Sequence, residues 1–190
     1  GWFGFSVSMT DSYAIVGAQG GNSADENGAA YIYGKGSDGS WSSTALLTLN
    51  GQASDDQFGC SVSMTDNYAI VGAFAVASNT GAAYIYGKGS DGSWSGTALL
   101  TLNGAASGDE FGISVSMTDS YAVVGAQYVD SKIGAAYIYG KDADGSWSSK
   151  VLVTLSGVGS DGHFGISVSM TDSYVIVGAL NVDNTNIDDG

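Results

Sequence analysis

Four near-identical segments make up this sequence, and they restrict the folds open to it. Each segment begins at a Phe-Gly pair; the four pairs start at Phe3, Phe58, Phe111 and Phe164, at spacings of 55, 53 and 53 residues. Each reads FGxSVSMTDxYxxVGA, and the first three continue into GAAYIYGK, an Asp-Gly turn, SWS and a leucine-rich run. Periods of about 40 to 50 residues are typical of propeller blades and related repeat arrays. The fold of one segment therefore sets the fold of the chain.

Each segment contains four short runs suited to β-strands. In the second copy they cover residues 61–64, 68–73, 82–86 and 97–102. The linkers are turn-like, and Asp-Gly between two alternating runs is a strong hairpin signal. No 3.6-residue period is present, so we expect almost no helix. Four antiparallel strands per segment follow.

Alternation within the runs indicates how the sheets pack. In the third run of the first copy, Tyr31 and Tyr33 point to one face while Ala30 and Ile32 point to the other. Bulky side chains on one face and small ones on the other suit face-to-face stacking of identical units. We predict an all-β protein, a β-propeller of four-stranded antiparallel blades. A β-sandwich is the alternative, but it does not explain why each unit carries a full set of strands.

The repeat length predicts the domain organisation. The chain is expected to form a single array with blade 1 at residues 3–57, blade 2 at 58–110, blade 3 at 111–163 and a half blade at 164–190. That is about three and a half blades, whereas closed propellers have four to eight. Either the segment is part of a longer propeller, which we favour, or copies of the chain complete one another through open blade edges.

Charge and apolar patterning exclude several classes of partner. The 190 residues carry a net charge of −14, with five Lys and no Arg, so nothing here could neutralise nucleic acid phosphates or anionic lipids. No apolar run approaches the ~20 residues of a membrane helix, so no membrane insertion is expected. Cys60 is the single cysteine, which excludes an internal disulfide. It stands where the other copies have Phe5, Ile113 and Ile166, so we expect it to be buried.

Two residue pairs bracket each first hairpin and carry a family resemblance. The Phe-Gly and Gly-Ala pairs resemble the FG-GAP repeat, the blade unit of the integrin α-chain propeller and of many secreted proteins. The resemblance covers the whole chain in register and implies a non-enzymatic extracellular or cell-surface protein that recognises a ligand or mediates adhesion. It also implies that Phe-Gly lies where one blade passes into the next. The sequence departs from the family in having no Pro after Gly-Ala.

The calcium site of many FG-GAP repeats is expected to be absent. Those repeats carry a D-x-D-x-D-G loop between the first two strands, whereas this chain has Met-Thr-Asp-Ser/Asn-Tyr, with one carboxylate. Ca²⁺ takes about six to eight oxygen ligands. The nearest alternative is Asp142-Ala143-Asp144-Gly145, where Asp142 and Asp144 would form a weak cation site. A hairpin turn explains that segment and its counterparts equally, so we expect no cofactor.

No constellation of catalytic residues is visible. There is no Ser-His-Asp set, carboxylate pair, phosphate loop or Cys-His cluster. His163 corresponds to Gln57 and Glu110 and has no second His or Cys nearby, so we interpret it as a polar loop residue. Trp41, Trp94 and Trp147 recur after the Asp-Gly turn, and we expect them to pack over the end of the blade and not to form a ligand cage. The recurring Met residues, Met9, Met64, Met117 and Met170, are expected to lie in the core.

The repeats differ from one another in the segments after each Gly-Ala pair and between units. In an up-and-down blade these 2–3 and 4–1 connections emerge at one end, which is here named the loop face. Function tends to lie on variable loops held by a rigid scaffold. The candidate binding residues are Phe74, Val76, Tyr128, Val129, Leu180 and Val182, with the acidic Asp25, Glu26, Asp109, Glu110, Asp130 and Asp183.

Two functions remain open at this stage. The first is recognition or adhesion, with a protein or other extracellular ligand bound at the loop face. The second is a structural subunit of a self-assembling extracellular polymer or filament, in which copies of the chain bind one another. An enzyme is a distant third, because propellers can host a site in their loops.

Overall fold

The chain folds into stacked antiparallel sheets. A computed structural model describes residues 1–20, 27–159 and 161–180. The strands are β1 (Trp2–Met9), β2 (Tyr13–Gln19), β3 (Ala29–Gly34), β4 (Leu47–Asn50), β5 (Ser61–Met64), β6 (Tyr68–Ala73), β7 (Ala82–Gly87), β8 (Leu100–Asn103), β9 (Phe111–Met117), β10 (Tyr121–Ala126), β11 (Ala135–Lys141), β12 (Trp147–Ser156), β13 (Ser167–Met170) and β14 (Val175–Gly178). Two single helical turns, α1 (Val76–Asn79) and α2 (Val129–Lys132), lie between the second and third strands of their units.

Each unit forms its own sheet. The orders are β1-β2-β3-β4 in blade 1, β5-β6-β7-β8 in blade 2 and β9-β10-β11-β12 in blade 3, and β13-β14 forms half blade 4. Within each sheet every strand pairing is antiparallel, and the sheets formed by the described residues do not close into a ring. The predicted all-β fold, a partial propeller of four-stranded blades, is confirmed.

The strand bounds follow the hydrophobic pattern closely, with one difference. In the second copy the fourth strand is β8 at Leu100–Asn103, not residues 97–102. The hydroxyl of Ser95 donates to the carbonyl of Thr97 and accepts from its N–H, at 3.2 and 3.1 Å. This local turn keeps the start of the predicted run out of the sheet.

The expectation of almost no helix is confirmed, since α1 and α2 are turns of four residues each. These turns are left-handed inside, with φ of 51° at Ala77, 59° at Ser78, 50° at Asp130 and 59° at Ser131. Sequence patterns for helices describe right-handed turns, and non-glycine residues seldom adopt this conformation. Asp is enriched at positive φ, but Ala77, Ser78 and Ser131 gave no sequence signal for these turns.

The blades stack by their faces. The front face of blade 2, with Phe58, Val62 and Met64, packs on the back face of blade 1, with Ile15 and Ile32. Phe111, Val115 and Met117 of blade 3 repeat this packing on Ile70, Ala83, Ile85 and Leu102 of blade 2. The alternation suggested that the back faces carry small residues, but they also carry large ones. Ile and Leu fill them, and the burial of both faces forms the core.

The contact between one blade and the next is here called a joint. Backbone atoms also meet in each joint. A side chain on Gly17, Gly72 or Gly125 would come within 3.0 Å of the carbonyl oxygen of the Gly in the following Phe-Gly pair. Only glycine fits there, which is why the Gly-Ala pair recurs. The Phe-Gly pairs therefore do lie where one blade passes into the next.

The recurring Trp residues pack across the joints. Trp94 of blade 2 meets Tyr13 of blade 1 edge-on at 5.6 Å, and Trp147 of blade 3 meets Tyr68 of blade 2 at 5.5 Å. Trp41 has no such partner among the described residues and is exposed. Met9, which the repeat pattern placed in the core, is also exposed. In the described structure no blade lies on the front face of blade 1.

Cys60 is buried, as expected. Its thiol lies 3.4 Å from the carbonyl oxygen of Gly112, in the joint between blades 2 and 3. Burial raises the pKa of the Cys60 thiol to about 12. A thiol so protonated and enclosed is a packing residue and not a nucleophile.

Candidate functional site

The loop face is formed by the 2–3 loops and the 4–1 connections, which contact each other. Of the candidate binding residues, Asp25, Glu26, Val182 and Asp183 lie outside the described residues. The others lie in two loops, residues 74–80 of blade 2 and 127–133 of blade 3, in the connection 105–110, and at Leu180.

The two loops share one unusual backbone. Asn79 and Lys132, like the residues at φ of 50° to 59° before them, are left-handed, at 62° and 74°. Each such residue is strained by roughly 1–2 kcal/mol. The backbone is the same in both loops, but the side chains on it differ: Ala, Ser and Asn in one, Asp, Ser and Lys in the other.

Hydrogen bonds from both sides hold these loops in place. The N–H of Ala75 donates to the carbonyl of Asp56, and that of Tyr128 donates to the carbonyl of Asp109. On the far side, the N–H of Glu110 donates to Asn79 at 2.8 Å, and that of His163 donates to Lys132 at 2.9 Å. Each loop is thus fixed between the connection that precedes its blade and the one that follows.

The apolar candidates are less exposed than the sequence suggested. Val76 and Val129 are half-buried and pack against the two cores between the blades. Phe74 and Tyr128 are also half-buried, whereas Leu180 is exposed. These four side chains are only partly exposed because each loop folds back onto its joint.

The acidic candidates divide into structural and free carboxylates. Asp109 accepts a hydrogen bond from the N–H of Ala106 at 3.1 Å, and Glu110 accepts one from the amide of Gln127 at 2.5 Å. Asp56 likewise accepts from Ala53, and its partial burial raises its pKa. Within the described residues, the exposed carboxylates of Asp55 and Asp130 accept no hydrogen bond.

A cluster at the junction of blades 3 and 4 was missed by the sequence analysis. The His163 ring meets the Tyr128 ring at 5.1 Å, and its Nε2 lies 3.8 Å from Oδ1 of Asp161. Lys132 pairs with the same Asp161 oxygen at 3.3 Å. Lys132 and His163 thus meet at one carboxylate, that of Asp161.

A sequence signal for this cluster exists in hindsight. The residue before each later Phe-Gly pair contacts a residue just after a Gly-Ala pair: Gln57 contacts Gln19, Glu110 contacts Gln127, and His163 contacts Tyr128. All of these positions vary between copies. Gln57 and His163 contact the loop of the preceding blade, whereas Glu110 contacts the loop of the following blade.

At the opposite end of the blades, the Asp-Gly turns are built alike. Oδ1 of Asp144 accepts hydrogen bonds from the N–H and hydroxyl of Ser146, and Asp38 and Asp91 make the same bonds to Ser40 and Ser93. These hydrogen bonds lower the pKa of all three Asp residues. Across the described residues, no three His, Cys, Asp or Glu side chains converge into a set able to hold a metal ion. Asp142 and Asp144 are the pair proposed from the sequence, and the hairpin geometry accounts for Asp144.

Comparison with known proteins completes the description. A model of the FG-GAP repeat matches residues 1–33, 41–86 and 94–139. The second and third matches run from a Trp through the third strand of the following blade, so each spans a joint. No curated protein matches the sequence. Among residues 1–20, 27–159 and 161–180 there is no apolar helix of membrane-spanning length. The matched segments cover more than half of the chain, which belongs to the FG-GAP repeat family.

Proposed function

We propose that this chain is a non-enzymatic extracellular or cell-surface protein that binds a protein or other extracellular ligand through its loop face. FG-GAP repeats typically occur in extracellular proteins. The observation that carries the proposal is the pair of left-handed loops, 74–80 and 127–133. Strained non-glycine backbone tends to be kept where it serves function. Here the same strained backbone presents different side chains, as a recognition surface requires.

The loop face indicates the chemistry of its ligand. Asp55 and Asp130 offer free carboxylates at the surface, and Tyr128 and Leu180 offer apolar surface on the same face. A basic group would pair with the carboxylates, while a neighbouring apolar group would bury against the ring or the leucine. The ligand class that fits is a protein segment in which Lys or Arg stands beside apolar residues.

Selection of peptides tests the proposal without knowledge of the natural ligand. Random peptides displayed on phage are selected on the immobilised chain, and the selected peptides are then measured against two charge variants. The loop-face variant combines Asp55→Asn, Glu110→Gln and Asp130→Asn. The control combines Asp38→Asn, Asp91→Asn and Asp144→Asn at the opposite end, where an amide oxygen can still accept the turn hydrogen bonds.

The two variants carry the same change in net charge, so general electrostatic attraction affects them equally. We expect the selected peptides to be rich in Lys or Arg beside apolar residues. Their affinity for the loop-face variant should be lower by about tenfold or more, because one or two charge-assisted contacts are lost. Their affinity for the control should not change. Equal loss in both variants, or loss in the control alone, would contradict a loop-face site.

A further inference from the structure

A cleft opens in the first joint, at the end of the blades opposite the loop face. Tyr13 and Leu46 of blade 1 form one wall, and Gly92, Ser93 and Trp94 of blade 2 form the other. It lies between two four-stranded sheets and has a volume of about 290 Å³. Small-molecule pockets begin at about 300 Å³, so this cleft has room for a ligand of one ring.

The walls of the cleft are apolar and aromatic, yet they remain open to solvent. Tyr13 and Trp94 meet edge-on at 5.6 Å, with their ring planes at 83°. Leu46 is 57% exposed, and its counterpart beside the second joint, Leu99, is 55% exposed. Both leucines border joints whose two blades are described, and no described residue covers them. The exposed leucine and the two rings together form an apolar contact surface.

Trp94 also carries an unused hydrogen-bond donor. Its Nε1 is buried and has no acceptor among the described residues, and the same is true of Trp147 in the second joint. Buried polar atoms almost always have a partner, so such a donor points to an acceptor that comes from solvent or from a ligand. Trp94 is half-buried and lines the cleft, whereas Trp147 is buried. The first joint is therefore the one in which a ligand would contact the indole ring.

A hydrogen-bond acceptor stands beside the cleft. Oδ1 of Asp91 accepts from the N–H and the hydroxyl of Ser93, at 3.0 and 2.7 Å. No described residue donates to the other oxygen, Oδ2. A carboxylate only accepts hydrogen bonds and an indole N–H only donates them, whereas a hydroxyl does both. A ligand with several hydroxyl groups fits this combination.

The charges around the cleft disfavour ionised ligands. The ammonium group of Lys88 lies 3.8 Å from the centroid of the Tyr13 ring and 5.3 Å from that of the Trp94 ring. A second cation would be repelled by this ammonium group, which already occupies a face of the Tyr13 ring. An anion would be repelled by Asp91 and by the net charge of −14. The ligand class that remains is neutral.

We propose that the cleft between Tyr13, Leu46 and Trp94 binds a neutral sugar ring. The C–H groups of the sugar pack against the leucine and against the aromatic rings, whose faces carry partial negative charge. One hydroxyl accepts from the indole N–H of Trp94, and another donates to Asp91. This site uses no residue of the loop face, so it is independent of the ligand binding proposed there.

A titration followed by nuclear magnetic resonance tests the site directly. The four Trp residues give four indole N–H signals in a ¹⁵N-labelled chain, and single Trp→Phe variants assign them. The probes are the methyl glycosides of glucose, galactose, mannose and N-acetylglucosamine, each added up to about 50 mM. At least one should shift the Trp94 signal saturably, with a Kd of about 1–10 mM, as for a small ligand in an open cleft. The Trp41 signal should not move.

Matched variants and charged probes complete the test. Leu46→Ser removes the leucine from the wall and should weaken binding about fivefold or more, whereas Leu99→Ser, at the same position of the next repeat, should leave it within about twofold. Both leucines are exposed, so both variants should stay folded, which circular dichroism checks. Glucuronate and glucosamine should bind at least about tenfold more weakly than the best neutral glycoside.

Three results would overturn the proposal. The first is the absence of a saturable shift of the Trp94 signal with any of the four glycosides. The second is an equal loss of affinity in Leu46→Ser and Leu99→Ser, which would place the sugar elsewhere. The third is tighter binding of glucuronate or glucosamine than of every neutral glycoside, which would assign the cleft to an ionised ligand.

Discussion

The front faces of blades 1 and 2 are the same surface in two environments. Both carry SVSMTD in their first strands, yet Val7 and Met9 are exposed while Val62 and Met64 are buried. The difference shows that burial here is a property of the joint and not of the residue. Matched substitutions in the two blades therefore measure what a neighbouring blade contributes.

The largest contrast is expected in thiol reactivity. Cys60 and Phe5 occupy the same position of the repeat, and Phe5 is exposed. A thiol pKa of about 12 in place of 9.0 makes the thiolate about 1000-fold scarcer at pH 8. Cys60 should therefore react with Ellman's reagent at least about 1000-fold more slowly than the thiol introduced by Phe5→Cys in a Cys60→Ala chain. Similar rates for the two thiols would mean that the joint opens readily.

The next contrast concerns the Phe of the Phe-Gly pair. Phe58 is almost completely buried in the first joint, whereas Phe3 is 62% exposed. Phe58→Ala should lower the free energy of unfolding by about 3–5 kcal/mol, and Phe3→Ala by less than about 1 kcal/mol. Urea unfolding followed by fluorescence measures both. Equal losses would show that the Phe residues act within their own blades and not across joints.

A pair of glycine substitutions separates backbone strain from contact between blades. Gly4 and Gly59 have nearly the same positive φ, so alanine strains both by a similar amount, about 1 kcal/mol. At Gly59 the added Cβ would also collide with the carbonyl of Ala29 in blade 1. Gly59→Ala should therefore be about 1–3 kcal/mol more destabilising than Gly4→Ala in chemical unfolding. If the two cost the same, the blades can shift apart without penalty.

The smallest contrast concerns Trp94 and Trp41. A lysine lies near each ring, Lys88 at 5.3 Å and Lys35 at 5.9 Å, so the cation–π contribution is similar. Of these two rings, only that of Trp94 packs on a tyrosine of the preceding blade among the described residues. Trp94→Ala should therefore cost about 0.5–1.5 kcal/mol more than Trp41→Ala in thermal or urea unfolding. A larger loss at Trp41 would indicate that its ring is covered by something other than a blade of the same chain.

Much of the fold was predictable from the sequence, for a physical reason. Period-two alternation and Asp-Gly turns are local signals, so the strands and hairpins appear in the residue order itself. The repeat then indicated how the sheets pack on one another, which local signals do not show. Because the copies are nearly identical, one packing solution had to serve every joint, and the Phe-Gly and Gly-Ala pairs marked where it lies.

The loop face was less predictable. The variable segments could be located, and the acidic residues on them counted. The left-handed turns at Ala77–Asn79 and Asp130–Lys132 could not be foreseen, since only Asn79 and Asp130 are of types enriched at positive φ, and the other four residues seldom adopt it. Those turns are held by hydrogen bonds to the neighbouring connections, and they decide that Val76 and Val129 turn inward. The contact of His163 with Tyr128 also depends on residues that lie 35 positions apart in the chain.

The sequence by itself determined the blade, because strands and turns are set by interactions within about 30 residues and by sterics at single backbone positions. It also determined the acidic character of the protein. Only the tertiary structure decided which of four equivalent residues is buried and which carboxylates remain free. Burial requires a neighbouring surface, and identical residues such as Met9 and Met64 differ only in whether one is there.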